Sequence, residues 1–160
     1  MIEEIKEILP RFRQAIICFV NSRSARPLDC YENMDLSCSC AIASRSLVVL
    51  LSRMGYKSKI AYGVFDEYNK FKRKKPILDD INHAWVEIEG YIIDLTASQF
   101  SRNRKKFLDC IVTNQIDKLY IKFGNANIRT LAPFSDWPHQ QIPRMKYVNK
   151  ILHNFQDLST

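Results

Sequence analysis

The chain has 160 residues, 46% of them hydrophobic and 26% charged, with four glycines and six prolines, a composition that supports one packed core and excludes a disordered or low-complexity chain. One domain is expected over residues 1–160. The early apolar run from Ala15 to Val20 is too short for a signal core or a membrane span, and five cysteines, an odd number, without an export signal read as thiols of a cytoplasmic protein.

Ile2, Ile5, Ile8, Leu9, Phe12, Ile16 and Phe19 recur at three- and four-residue spacing, which predicts an amphipathic helix with a kink or restart at Pro10. From Asn21 to Ser39 the pattern dissolves into polar residues and proline, a surface loop. A second helix is expected near Cys40, with Ala43, Leu47, Leu50, Leu51 and Met54 as its one buried face and Gly55 as a left-handed terminator. Lys57 to Phe65 alternates and reads as a strand. A polar, Lys-rich connection, Asp66 to Ile81, precedes two short strands between Asn82 and Phe100, joined tightly at Glu89 and Gly90. Beyond Phe100 the pattern weakens; Leu119, Ile121 and Phe123 suggest a strand, and Tyr147, Ile151 and Phe155 a closing helix.

Cys40 opens the second helix. Unpaired N–H groups and the positive end of a helix dipole favour a thiolate at such a position, and its spacing to Ala43 and Leu47 puts it on the buried side. The plain alternative is a small core hydrophobe. The hairpin adds a second half. With Glu89 and Gly90 as turn residues, Ile88 faces Tyr91, Val86 faces Ile93, Trp85 faces Asp94 and His83 faces Thr96. His83, Trp85 and Glu87 then share a face with Thr96, Asp94 and Ile92. His83 and Asp94 are diagonal neighbours about 7 to 8 Å apart at the backbone, within reach for a carboxylate to hydrogen-bond an imidazole. Such a pair fixes the histidine tautomer and steadies the imidazolium formed when a cysteine gives up its proton. A slip of one residue would put the two on opposite faces.

These segments, CAIASRSLVVLLSRMGYKSKIAYGVF followed by NHAWVEIEGYIIDLTASQF, resemble the transglutaminase-like branch of the papain-type cysteine enzymes over about Cys38 to Phe100. That family shows a cysteine opening a helix, then a His-Ala-Trp strand, then an Asp in a Leu/Ile-Asp-Leu/Pro-Thr motif. The resemblance implies an α+β, papain-like fold in which the nucleophile helix packs on an antiparallel β-sheet. It implies Cys40 as nucleophile, His83 as general base and acid, and Asp94 as orienting carboxylate; Cys40, not Cys38, keeps the family's register to the following glycine. The expected activity is hydrolysis of an amide or peptide bond in a protein or peptide substrate through a thioester. Transfer to an amine on the same triad, or a non-catalytic binding module, are the alternatives. The oxyanion donors implied are the cysteine's own N–H and an upstream polar side chain, for which Asn33 is the candidate, though it also suits a turn. Trp85 is read either as a wall of the acyl site or as core. His139 is a competing base with no carboxylate on a shared face.

Cys30, Cys38 and Cys40 cluster in the sequence as zinc ligands can. No Cys-x-x-Cys pair is present and Cys-x-Cys suits one tetrahedral site poorly, so neither metal nor cofactor is expected. The excess of 24 basic over 17 acidic residues is local. Nine basic residues fall in Lys70, Lys72, Arg73, Lys74, Lys75 and Arg102, Arg104, Lys105, Lys106; without them 15 face 17. Either these are solvated loops or they form a positive rim for an anionic partner. No nucleic-acid fold signature accompanies them, so nucleic acid is not expected as a partner.

Overall fold

The computed structural model describes residues 1–22, 39–65, 82–100, 109–114, 120–122 and 142–158. These contain helices α1 (Ile2–Asn21), α2 (Cys40–Arg53) and α3 (Ile142–Asp157) and strands β1 (Lys59–Phe65), β2 (Asn82–Ile88), β3 (Tyr91–Asp94), β4 (Ile111–Thr113) and β5 (Tyr120–Lys122). The strands form one sheet in the order β4-β3-β2-β1-β5, every neighbouring pair antiparallel. The protein is α+β. Among the described residues no helix is long and apolar enough to cross a membrane.

The predicted stripe of α1 is buried at Ile5, Leu9, Phe12, Ala15, Ile16 and Phe19. The expected restart at Pro10 is not seen, because α1 runs through it as one helix. Pro10 lies on the exposed face, where solvent can serve the carbonyl left without a helical donor, and buried residues on both sides anchor the helix to the core. Phe12 meets Phe155 of α3 edge to face, with ring centroids 5.3 Å apart.

For α2 the sequence predicts one buried stripe, and the structure differs. Every residue from Ile42 to Leu51 is buried, including Ser44, Arg45 and Ser46. The helix lies among α3, β1 and β2, which enclose its middle, while Ser52 and Arg53 at its end are exposed. It ends as its glycine predicts: Gly55 has φ 87°, its N–H donates to Ser52 O at 3.0 Å, and Tyr56 N–H returns to Leu51 O at 2.9 Å. These two bonds form the paired closure of a left-handed helix end.

The hairpin has the predicted register, with Val86 opposite Ile93, Glu87 opposite Ile92 and Ile88 opposite Tyr91. Both turn residues have positive φ, Glu89 at 46° and Gly90 at 81°. A two-residue turn of this hand matches the strand twist and favours Asn-Gly, so the glutamate carries the strain. Glu89→Asn is expected to raise stability by about 0.5 kcal/mol, read as a higher urea midpoint with an unchanged slope.

Alternate residues of the hairpin separate two environments. Ala84, Val86, Ile88 and Ile93 join Ile60 and residues of all three helices in the main apolar cluster. His83, Trp85 and Asp94 project from the alternate positions and are nevertheless buried. Strand β1 places Gly63 opposite His83 and Ala61 opposite Trp85, so on the β1 side the cross-strand neighbours of both rings are small.

Candidate active site

His83 is the second residue of β2 and Asp94 the last of β3. Their side chains are fully buried, and His83 Nε2 lies 2.7 Å from Asp94 Oδ2. The other carboxylate oxygen is also occupied: Oδ1 accepts the Thr96 N–H at 2.8 Å and the Thr96 hydroxyl at 3.1 Å. Asp94 therefore cannot rotate without giving up hydrogen bonds in a place where water does not replace them.

Cys40 contributes from the first turn of α2. Burial alone would lower the His83 pKa, but the charge and hydrogen bond of Asp94, together with side-chain hydrogen bonding to Cys40, raise it from 6.5 to about 9. With Nε2 taken by Asp94, Nδ1 is the nitrogen left to face the thiol. The sulfur, imidazole and carboxylate thus form one chain of contacts. Ser39 caps α2 without a side-chain hydrogen bond, so its hydroxyl does not serve the first-turn N–H groups, which favour an anion.

Trp85 is wholly buried, with its ring centroid 6.0 Å from that of His83 and the planes tilted by 35°. Its indole N–H donates to Glu87 Oε1 at 3.3 Å. Glu87 in turn pairs with Lys59 across the strands at 3.4 Å. Two residues along β2 and on the same strand face, Trp85 is the aromatic neighbour of the imidazole. Asn33, Cys30, Cys38, His139 and both basic runs lie outside the described residues. Among the described residues no three His, Cys, Asp or Glu side chains group as metal ligands do.

Two participants were missed by the sequence reading. Thr96 was placed only by register, yet it holds Asp94 through two donors. Arg13 of α1 donates from Nε to Leu95 O at 3.3 Å and from Nη2 to Ser98 Oγ at 3.1 Å, and its Nη2 lies 3.0 Å from Asp109 Oδ1. Cys110, beside this group, is pushed up to about 12 by burial and by the charge of Asp94, which makes it a protonated, unreactive thiol at neutral pH. Cys18 is exposed on α1.

No family model, no curated protein and no solved structure matches the chain.

Proposed function

We propose that this protein is a cysteine-dependent acyl-transfer enzyme of the transglutaminase-like, papain-type class, hydrolysing an amide or peptide bond. The observation that carries the reading is the buried His83–Asp94 bond of 2.7 Å on an imidazole that also engages Cys40. In this mechanism the proton given up by the thiol rests on His83 Nδ1, consistent with an imidazole raised to about 9, and the Cys40 thiolate attacks the substrate carbonyl. The Cys40 N–H, with Asn33 as a further candidate donor, holds the developing oxyanion. His83 returns the proton to the leaving amine and a thioester remains. A water gives its proton to His83 and its oxygen to the acyl carbon, releasing the acid and the thiol. Asp94 stabilises the imidazolium at each stage and is not itself protonated.

A non-catalytic binding module is disfavoured by the burial of the pair. Apolar residues of similar volume stabilise a core as well as a buried ion pair or better, so binding alone gives no physical reason to keep an imidazole and a carboxylate out of water. Transfer to an amine uses the same thioester, and product analysis with and without added amine separates it from hydrolysis.

The test is reactivity. At about pH 6, where ordinary thiols are largely protonated, limiting iodoacetamide is expected to modify Cys40 before the exposed Cys18, with the site assigned by peptide mass. His83→Ala should remove that preference. Modification of Cys18 first in the wild-type protein would sink the enzyme reading.

A further inference from the structure

We propose that Arg13 is a positioning residue for the Asp94–His83 pair, acting through the Leu95–Thr96 peptide whose carbonyl it holds. The Leu95 carbonyl and the Thr96 N–H belong to one peptide unit. Arg13 Nε donates to its oxygen at 3.3 Å, and its N–H donates to Asp94 Oδ1 at 2.8 Å. The peptide is planar and trans, since the described residues contain no cis bond, so fixing the oxygen fixes the direction of the N–H. A cationic donor on the carbonyl also polarises the amide and strengthens its N–H as a donor. The chain of contacts runs from Arg13 through that peptide to Asp94 Oδ1, and from Oδ2 to His83 Nε2 at 2.7 Å.

The guanidinium secures the same segment at two more points. Ser98, in the turn Ala97–Phe100, accepts at 3.1 Å. Asp109 binds at 3.0 Å just ahead of β4, whose Ile111 pairs with Asp94. Arg13 thus ties α1 to the residues after Asp94 and to those leading into the strand paired with it. Among the described residues, the ionisable groups around this path are Cys40 and Asp94 at the imidazole and Asp109, Arg13 and Cys110 behind the carboxylate. The inference deepens the acyl-transfer reading and rests on it only for its catalytic consequence, because the geometry can be tested without substrate.

The experiment follows the His83 ring by NMR through a pH titration of the whole chain as wild type, Arg13→Met and Arg13→Lys. If Arg13 orients Asp94, its loss weakens the Asp94–His83 bond. The His83 midpoint is then expected to fall from about 9 by about one unit or more in Arg13→Met. Arg13→Lys should recover part of the shift, since an ammonium can serve the carbonyl but cannot reproduce the fork that spans Ser98 and Asp109. Through space alone, removing a cation moves the midpoint the other way. An unchanged or raised midpoint in Arg13→Met, even with a lower melting temperature, overturns the proposal. If Arg13→Met does not fold, the Arg13→Lys midpoint decides, and no fall there overturns it equally. Failure of the enzyme reading looks different: Cys40 in the wild-type protein would be alkylated no faster than Cys18, whatever the Arg13 variants do to His83.

Discussion

Replacing Cys40 with alanine is expected to abolish acyl-enzyme formation while the fold survives. The probe is an activated ester such as p-nitrophenyl acetate, with the burst of nitrophenol and the mass of the acetylated protein as readouts. Wild-type protein should carry one acetyl group on Cys40. Cys40→Ala should lose the burst by about 10⁴-fold or more, and His83→Ala should match it, because residues that act as a unit do not contribute additively. Asp94→Asn should lose less than either, since it orients the ring and does not react. Cys38→Ala, Cys18→Ala and Cys110→Ala should leave the burst nearly unchanged. Removing the sulfur at a position 9% exposed and inside the apolar cluster costs about 1 kcal/mol of packing, so the Cys40→Ala melting temperature should fall by only a few degrees. A burst that survives in Cys40→Ala and disappears in Cys38→Ala would move the nucleophile outside α2.

The parts of this site that could be read in advance are those governed by local rules. Alternation along Asn82–Ile88 and the Glu89-Gly90 turn fix the register, and the register alone makes His83 and Asp94 neighbours. The apolar stripe ending at Gly55 likewise locates the start of α2, and with it Cys40. What escaped is non-local. Arg13 meets Leu95 and Ser98 at sequence separations of 82 and 85, and nothing near Arg13 marks it apart from any other helix cation. Strand β4 is three residues long, too short to show a period. The burial of α2 beyond its apolar stripe was hidden because Ser44, Arg45 and Ser46 are residue types that are mostly exposed, and only the packing of α3, β1 and β2 around the helix encloses them. At Pro10 the helix continues without a restart: a single missing donor on an exposed face is a smaller term than the six buried side chains of α1.

The pairing of His83 with Asp94 should also be visible as a pH dependence of stability. The pKa of His83 is raised in the folded protein from 6.5 to about 9, so folding binds the proton more tightly than the unfolded chain does. The resulting stabilisation is complete below about 6.5, declines as the pH rises towards 9, and is absent above it. Its size is about 3 kcal/mol at most. Asp94→Asn keeps the side-chain volume and removes the charge. It also leaves one oxygen where two are used, because Oδ1 serves Thr96 and Oδ2 serves His83. With the amide oxygen kept on the Thr96 donors, these bonds lose their charged acceptor, a loss of about 1 kcal/mol that does not depend on pH, while the amide nitrogen can donate to Nε2 only when the ring is neutral. The deficit of Asp94→Asn relative to wild type, from urea unfolding, should therefore be about 3 to 4 kcal/mol near pH 6 and shrink to about 1 kcal/mol near pH 9.5. Comparing the two proteins at each pH cancels the lysines, tyrosines and other thiols that titrate in the alkaline range. A deficit that stays constant or grows with pH would mean that His83 is not the group whose proton the Asp94 carboxylate holds.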